Sequence, residues 1–456
     1  MAATSHSHRA SRTNSPLSIA IASAAHMLEG MPHDYDPLLD MIGDARFVLL
    51  GEATHGTHEF YEARAQITRR LIAEKGFDAV AVEADWPDAY RVNRYVRGID
   101  GDANSEQALS GFKRFPTWMW RNADVVNFID WLRGHNEVRP PASRAGFYGL
   151  DLYSLFTSIE EVLRYLGRAN PEAAARARQR YACFDHFDKD SQHYGYATGF
   201  GLSASCEAEV VAQLRDLRSR ASELMQPDGR LALDEFFYAE QNARLVQDAE
   251  EYYRTMFQGR ISSWNLRDRH MAETLEALSQ HLSRTGVRPA RIVVWEHNSH
   301  IGDARATEVG RQGEWNLGQL AREKHGRDAV LIGFSTYRGT VTAASEWDGP
   351  ARRKRVRPAL AGSYERAFHD TGLSKFILPL HDKALAAQPQ FAHRLERAIG
   401  VIYLPASERQ SHYFYADLAN QYDAILHFDE TRAVEPLEPT ALWHGGEAPE
   451  TYPAGV

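Results

Sequence analysis

Two segments of this sequence place histidines directly after strand-like apolar runs, where their side chains could do acid–base chemistry. Residues 47–50 are apolar, and a glycine, Glu52 and His55 follow at once. Much later in the chain, another apolar run leads into His297 and His300. A neutral imidazole can accept a proton from water or donate a hydrogen bond near neutral pH. Both segments are candidate active-site loops; the alternative is that these residues cap helices or lie on solvated faces.

Two further strand-like runs end on carboxylates. Glu83 follows the apolar run 79–82, and Asp151 follows the run 146–150. A right-handed strand–helix–strand crossover would place Glu83 on the strand next to the loop of His55. There its carboxylate could accept the second N–H of the imidazole, as the carboxylate of a hydrolytic triad does. Asp151 either contributes to substrate binding at the same edge of the sheet or caps the next helix.

The spacing of these segments predicts an α/β fold with a mixed, mostly parallel sheet flanked by helices. Further strands are predicted over 330–334, 339–344 as its hairpin partner, 376–380, 398–404 and 424–428. The predicted organisation is a disordered N-terminus over 1–16, a first part of the α/β core over 17–154, a helical insertion over 155–285, a second part of the core over 286–437 and a C-terminal tail over 438–456.

Three features outside the histidine segments are candidates for substrate contacts. Trp118 lies in an aromatic stretch that could line the mouth of an apolar pocket, although packing of helices on the sheet explains it as well. Arg267, near the start of the last helix of the insertion, could bind a carbonyl oxygen or an oxyanion. The glycine-containing loop 185–201 could act as a lid.

Composition limits the classes of partner. The chain has 456 residues, of which 43% are hydrophobic and 25% charged, as in soluble globular proteins. Its net charge of −9 argues against general binding of nucleic acid or of an anionic membrane. The basic run 352–357 is the exception, and we interpret it as a surface loop. No apolar stretch is long enough for a membrane span, and nothing in the sequence indicates the oligomeric state.

Cysteine usage and the N-terminal pattern predict a cytoplasmic protein. The two cysteines, Cys183 and Cys206, give no disulfide framework and fit a reducing compartment. Residues 16–25 superficially resemble a secretion signal, but serines interrupt the apolar run. The pattern continues through 26–28, so we expect one amphipathic N-terminal helix.

Three motifs taken together resemble the erythromycin esterase family: Gly-Glu-Ala-Thr-His-Gly at 51–56, Val-Glu-Ala-Asp-Trp at 82–86 and Trp-Glu-His-Asn-Ser-His at 295–300. The resemblance extends over about residues 35–437. It implies hydrolysis of the macrolactone ester of a macrolide without a bound metal or other cofactor, and a helical part that forms one wall of a deep cleft. Residues 408–437 look closer to relatives outside the antibiotic-resistance branch, so the substrate could be another ester or lactone.

The resemblance also assigns residues. His55 would be the general base, and Glu52, Arg64, Glu83, His297 and His300 would complete the polar cluster. The spacing of Arg64 alone favours a helix-surface ion pair, and only the resemblance brings it into the site. Water is the expected nucleophile, because no Gly-x-Ser-x-Gly motif follows a predicted strand.

Two alternative functions would use the same cleft. One is that of a metal-dependent hydrolase, because histidine and glutamate are ligand types that suit zinc or manganese, although the His-Glu-x-x-His signature is absent. The second alternative is a non-catalytic protein that uses the cleft to bind a bulky apolar ligand.

Overall fold

The computed structural model describes residues 15–445 except 100, 225–229, 258, 287, 383–384 and 386–387. The segment predicted to be disordered therefore lies almost wholly outside the described residues, and a helix already begins at Pro16. This first helix ends at Ala24, and a short strand replaces the predicted helical continuation. Within the described chain, none of the helices is long and apolar enough to cross a membrane.

The strands, in chain order, are β1 His26–Met27, β2 Phe47–Leu50, β3 Ala79–Asp85, β4 Gly146–Asp151, β5 Ile292–Trp295, β6 Ala329–Ala343, β7 Arg352–Val356, β8 Lys375–Pro379, β9 Arg394–Arg397, β10 Tyr413–Ala416 and β11 Ala424–Thr431. The α-helices are α1 Pro16–Ala24, α2 Asp36–Ile42, α3 His58–Lys75, α4 Trp86–Val96, α5 Ser105–Ala108, α6 Ala123–Glu137, α7 Leu155–Ala169, α8 Pro171–Tyr181, α9 Ser191–Gly199, α10 Glu207–Ser219, α11 Ala221–Leu224, α12 Arg230–Thr255, α13 Arg260–Thr285, α14 Asn298–Ile301, α15 Glu308–Arg311, α16 Leu317–His325, α17 Tyr364–His369, α18 Glu408–Ser411, α19 Leu418–Gln421 and α20 Ala441–Gly445.

Nine strands of the described chain form one mixed sheet. Its order is β1-β8-β11-β6-β2-β5-β3-β4, and β7 pairs with the far end of β6. The pairs from β11 through to β4 are parallel, whereas β1, β8 and β7 pair antiparallel with their neighbours. The predicted α/β fold with a mostly parallel sheet flanked by helices is confirmed. The carboxyl ends of β2, β5, β3 and β4 consequently meet at one edge, where the polar loops were expected.

The order of the central strands differs from the prediction in one respect that matters for the site. The crossover from β2 to β3 passes over one position of the sheet, and β5 occupies that position, paired with both strands. Sequence reasoning placed Glu83 on the strand adjacent to the loop of His55. That interpretation was wrong, because a strand more than two hundred residues away along the chain inserts between them.

Successive side chains of a buried strand point to opposite faces of the sheet, so the sheet packs against helices on both faces. In β2, Phe47 and Leu49 belong to one apolar core, whereas Val48 and Leu50 belong to the other. All four are fully buried. A strand covered on both faces is expected to be continuously apolar, which is why the run 47–50 shows no polar alternation.

Several predicted elements of the second half are wrong. The strand and hairpin partner expected over 330–334 and 339–344 are one continuous strand, β6. The basic run expected to be a surface loop is β7, in which Lys354 is buried and donates to the carbonyl oxygen of Tyr403 at 2.7 Å. Residues 398–404 form only isolated bridges, and the strand of that region is β9, paired with β10.

The long middle region is helical throughout its described elements, from α7 to α13. The structure contradicts the expectation that its cysteines are unpaired, because Cys183 and Cys206 form a disulfide with 5.9 Å between their Cα atoms. This pair links the turn after α8 to the start of α10. Disulfides are typical of oxidising compartments, so cysteine usage no longer supports the predicted cytoplasmic location, which stays a prediction.

The loop after β2 crosses β6 at van der Waals distance, and this crossing can be tested. A Cβ atom on Gly56 would lie 1.9 Å from the carbonyl oxygen of Thr342, which is backbone and has no room to move. We expect Gly56→Ala to lower the free energy of unfolding by about 1–3 kcal/mol, the usual effect of overpacking a core. Gly134→Ala is the control, because Gly134 lies within α6 with open space around its Cβ position. That substitution should be neutral or stabilising by up to about 1 kcal/mol. Equal denaturant midpoints for the two variants would contradict the crossing.

Candidate active site

The loop that carries His55 is fixed by backbone hydrogen bonds to the second half of the chain. The carbonyl oxygen of Ala53 accepts from Ile399 N at 2.8 Å. The carbonyl oxygen of Gly56 accepts from Thr342 N at 3.0 Å and from Val434 N at 2.9 Å. These contacts hold the loop in one shape, so the imidazole that it carries has a defined position before any substrate binds.

His55 is oriented by Glu52. The Nδ1 atom of His55 lies 2.9 Å from Glu52 Oε1, and Arg64 donates to the other carboxylate oxygen at 2.7 Å. Glu52 and Arg64 are each only 1% exposed, so the charge on the carboxylate is balanced inside the protein. With the Nδ1 proton held by Glu52, the Nε2 atom of His55 keeps its lone pair, and the His55 side chain lines a cavity.

Two predicted roles change as a result. The carboxylate that orients His55 is Glu52, not Glu83 as sequence reasoning proposed. Arg64 does not line the cavity; its guanidinium lies between the rings of Tyr61 and Trp295, at 4.5 and 5.2 Å from their centroids. It therefore cannot stabilise negative charge on a substrate directly, and its contribution is to hold Glu52.

Glu83 instead positions the second histidine segment. One of its carboxylate oxygens accepts from the backbone N–H of His297 at 2.9 Å, and the other accepts from Arg267 at 2.7 Å. Burial raises the pKa of the Glu83 carboxyl, but the nearby histidines and Arg267 outweigh this effect and hold the pKa well below its ordinary value. Glu83 is therefore an anion that fixes the start of the loop after β5.

Arg267 joins three strand ends. Besides Glu83, it donates to both oxygens of Asp151, at 2.9 and 2.7 Å, and to His300 Nε2 at 2.9 Å. The predicted contact of Arg267 with a carbonyl oxygen of the substrate is therefore replaced by contacts within the protein. Asp151 likewise serves as a partner of this arginine and accepts from the backbone N–H of Leu152 as well.

His300 is fixed by a hydrogen bond on one ring nitrogen and by stacking of its ring. Its Nδ1 atom donates to Asp268 at 2.9 Å, and its ring stacks on Trp264 with 4.5 Å between centroids. Burial lowers the pKa of His300, but the carboxylates of Asp268 and Glu83 outweigh burial and raise it. Asp268 and Trp264 were not assigned from the sequence. Asp268 directly follows Arg267, and that adjacency was the one available signal.

His297 lines the cavity beside His55. Its Nδ1 atom lies 2.8 Å from the hydroxyl oxygen of Ser299 and accepts from the backbone N–H of the same residue at 3.3 Å. Because a backbone N–H can only donate, we assign the ring proton to Nε2. That Nε2 is buried and makes no hydrogen bond of good geometry among the described residues, although the backbone of Ala53 is close enough to the ring to raise its pKa. The ring centroid lies 4.7 Å from that of His55. Burial and the neighbouring His55 hold the pKa of His297 well below its ordinary value. The ring is therefore a neutral donor at neutral pH.

A cavity of about 550 Å³ contains these groups, a size typical of small-molecule sites. Its lining includes His55, Glu83, Asp151, Arg267, His297 and His300 and the apolar side chains of Phe112, Phe115, Met119, Trp120, Trp264 and Trp347. Trp118, predicted as a substrate contact, is buried outside the lining, which uses its neighbour Trp120 instead. The proposed lid 185–201 supplies no lining residue, and within it Tyr194 is fully buried and donates to Glu250.

The polar groups that line the cavity, as far as the structure describes them, do not form a metal-ligand set. In the part of the chain that the structure describes, no group of three or more His, Cys, Asp or Glu side chains has a metal-holding arrangement. The carboxylates of Glu52, Glu83 and Asp151 are instead bonded to arginines and to a histidine.

Comparisons with known proteins agree with this architecture. A family model described as erythromycin esterase matches residues 72–431. The Bacillus subtilis protein YbfO, whose name describes it as a hydrolase, is 23% identical over 343 residues, which cover 70% of this chain and 71% of that protein. Erythromycin esterase type II of Escherichia coli is 24% identical over 326 residues, covering 68% of this chain and 73% of that protein.

Solved structures show the same fold. A succinoglycan biosynthesis protein superposes with a TM-score of 0.75 at 23% identity, covering 95% of this chain and 100% of that one. An erythromycin esterase mutant in its open conformation superposes with a TM-score of 0.64 at 17% identity, covering 89% of this chain and 96% of that one.

The buried pair of Glu52 and Arg64 generates a stability prediction. Arg64→Met should lower the free energy of unfolding by about 3–5 kcal/mol, because it leaves the Glu52 carboxylate buried without its partner. The double variant Glu52→Gln, Arg64→Met should recover part of that loss. Arg70→Met on the same helix is the control, since its pairs with Glu74 and Asp36 are exposed and the expected loss is within about 1 kcal/mol. Urea denaturation curves check this, and equal losses for the two single variants would contradict the paired arrangement.

Proposed function

This chain belongs to the erythromycin esterase family, and we propose that it is a carboxylic ester hydrolase in which His55 acts as the general base for attack by water, with lactones, including macrolactones, among its substrates. Family membership and the hydrolase-named relatives support hydrolysis. The ester bond, the lactone class and the role of His55 are our proposal.

One observation carries it: two imidazoles with opposite hydrogen-bonding roles face each other in one cavity. His55 has its Nδ1 proton held by Glu52, so its Nε2 is a proton acceptor. His297 has its Nδ1 occupied by Ser299, so its Nε2–H is a proton donor. An acceptor and a donor whose ring centroids lie 4.7 Å apart suit an attacking water and a carbonyl oxygen, respectively.

The proposed reaction proceeds in two stages. His55 Nε2 removes a proton from water as its oxygen adds to the carbonyl carbon, and Glu52 stabilises the imidazolium that forms. The carbonyl oxygen becomes an oxyanion that accepts from His297 Nε2–H, a contact worth ~2.7–4 kcal/mol for one donor of this kind. As the tetrahedral intermediate collapses, the bond to the alcohol oxygen breaks, and the His55 imidazolium gives its proton to that oxygen. The products are a carboxylic acid, which then releases its proton to solvent, and an alcohol, or one hydroxy acid from a lactone.

The cavity favours bulky apolar acyl or alcohol groups. Its aromatic wall is formed by Phe112, Phe115 and Trp120 on one side, while Trp347, with 57% of its surface exposed, extends the wall towards solvent. Such a surface suits a large, mainly apolar lactone with few polar groups.

We expect turnover to depend on His55. Across a panel of macrolides, smaller lactones and activated esters, the wild-type protein should add one water to at least one compound, as detected by mass spectrometry. His55→Ala should lower kcat/KM for that compound by roughly 10²–10⁴, the usual contribution of a general base. His58→Ala is the matched control. His58 lies three residues further on, pairs with Asp124 at 2.8 Å and does not line the cavity, so its variant should retain turnover within about twofold.

Each outcome of the panel has a meaning. Equal losses in the two histidine variants would contradict the assignment of the base. If no compound is turned over faster than by His55→Ala while ligands still raise the melting temperature, the protein binds rather than hydrolyses.

Chelation tests the metal-dependent alternative. Because the carboxylates of Glu52, Glu83 and Asp151 are paired with arginines of the protein, we expect full turnover after exhaustive dialysis against a chelator. Elemental analysis of the dialysed protein should accompany the assay. Loss of turnover that zinc or manganese restores would replace the proposed mechanism with a metal-dependent one.

A further inference from the structure

The basic run of the sequence forms one side of a second concavity, which in the described chain shares no lining residue with the candidate active site. Its strand, β7, pairs antiparallel with the end of β6, and Arg355 lies opposite Thr340 in the register of the pair. Successive side chains of a strand point to opposite faces of the sheet. Lys354 is buried on one face, so Arg353 and Arg355 both project from the other, where they are exposed.

Two further arginines line the same concavity from neighbouring segments. Arg338 lies on β6, and Arg432 directly follows the end of β11. Together with Arg353 and Arg355 they line a cavity of about 730 Å³, within the size range of small-molecule sites. The acidic residues of its lining are Glu59 and Glu430. The described lining thus has four arginines against two glutamates, an excess of two positive charges in a chain whose net charge is −9.

The two glutamates balance this positive charge only weakly. Glu430 lies 3.1 Å from Arg338, but half or more of each side chain is exposed, and an exposed ion pair is weak. One oxygen of Glu59 lies 3.7 Å from Arg432 Nε, and the other accepts from the backbone N–H of the same arginine. Arg353 contacts a backbone carbonyl oxygen and a tryptophan ring, neither of which carries a charge. A ligand that binds these three arginines therefore breaks no fully buried ion pair in the described part of the chain.

The chemistry of this lining favours an anion with several phosphate groups. A guanidinium presents a planar fork of N–H donors that matches the oxygens of a phosphate. The Cα atoms of Arg353 and Arg355 are about 6.6 Å apart along their strand, and the arginines of the neighbouring segments widen that span. The described lining has no aromatic ring on which a nucleobase could stack. It also has no exposed leucine, isoleucine or phenylalanine that could insert into a lipid surface.

We propose that Arg338, Arg353, Arg355 and Arg432 form a binding site for a soluble anion with two or more phosphate groups. Their guanidinium N–H groups donate to the phosphate oxygens, and several phosphates satisfy more of these donors than one phosphate can. The site uses residues that do not line the candidate active site. The inference therefore stands or falls independently of ester hydrolysis.

Calorimetric titration of the full-length protein with inorganic triphosphate tests this site. At about 0.15 M ionic strength, which screens chance contacts between surface charges, the wild-type protein should bind triphosphate saturably. The double variant Arg353→Gln, Arg355→Gln should bind it at least about tenfold more weakly, the factor expected for loss of one hydrogen bond to a charged group. The double variant Arg178→Gln, Arg327→Gln is the matched control. It removes the same charge from exposed positions elsewhere and should bind as the wild type does.

Each remaining outcome decides the proposal. Absence of saturable binding, or equal weakening in the two double variants, would overturn it. Orthophosphate or citrate that binds as tightly as triphosphate would also overturn it, because several phosphate groups would then not be required. Sedimentation of the protein with phosphatidylcholine vesicles that contain phosphatidylinositol bisphosphate would assign the site to a lipid headgroup and overturn the soluble ligand.

A single variant keeps the test decisive if the double variant of β7 unfolds. Arg338→Gln then carries the same titration, because half of the Arg338 side chain is exposed and its partner Glu430 is exposed as well. Weaker binding of triphosphate by this variant would support the proposal, and unchanged binding would overturn it. Triphosphate should also raise the melting temperature of the wild-type protein, since a ligand that binds only the folded state stabilises it, and the rise should be smaller in the variant.

Discussion

The buried contact between Glu52 and Arg64 is the interaction on which the site depends. A carboxylate with 1% of its surface exposed is costly to bury unless a cation balances it inside the protein. Arg64 does so with one oxygen of Glu52, which leaves the other oxygen to hold the Nδ1 proton of His55. The arginine thereby controls, through an intermediate carboxylate, which nitrogen of the imidazole faces the cavity.

The same principle is repeated around the second histidine segment. Glu83 accepts from the backbone of His297, and Arg267 balances Glu83 while also contacting Asp151 and His300. Glu83 of β3 and Asp151 of β4 are thereby paired with one arginine from α13. His55 and His297 keep a nitrogen directed towards the cavity, and one of these nitrogens accepts while the other donates.

The sequence predicted which residues meet but not how they pair. Apolar runs followed by polar loops indicated four strand ends at one edge, because that signal is local to each run. The partner of His55 was assigned wrongly, since β5 inserts between β2 and β3 and no local pattern reveals the order of strands. The predictions for Trp118, for the basic run 352–357 and for the two cysteines were wrong because exposure and pairing depend on elements distant in the chain.

Catalysis by this mechanism depends on the tautomers of the two facing imidazoles. Glu52 sets the tautomer of His55, and Ser299 sets the tautomer of His297. Nitrogen-15 NMR of the histidine-labelled protein detects both tautomers directly, with resonances assigned by single substitutions. We expect a proton on Nδ1 of His55 and on Nε2 of His297, and we expect Glu52→Gln to change the first resonance and leave the second unchanged. A His55 ring that carries its proton on Nε2 in the wild-type protein would contradict this mechanism, because no lone pair would then face the attacking water.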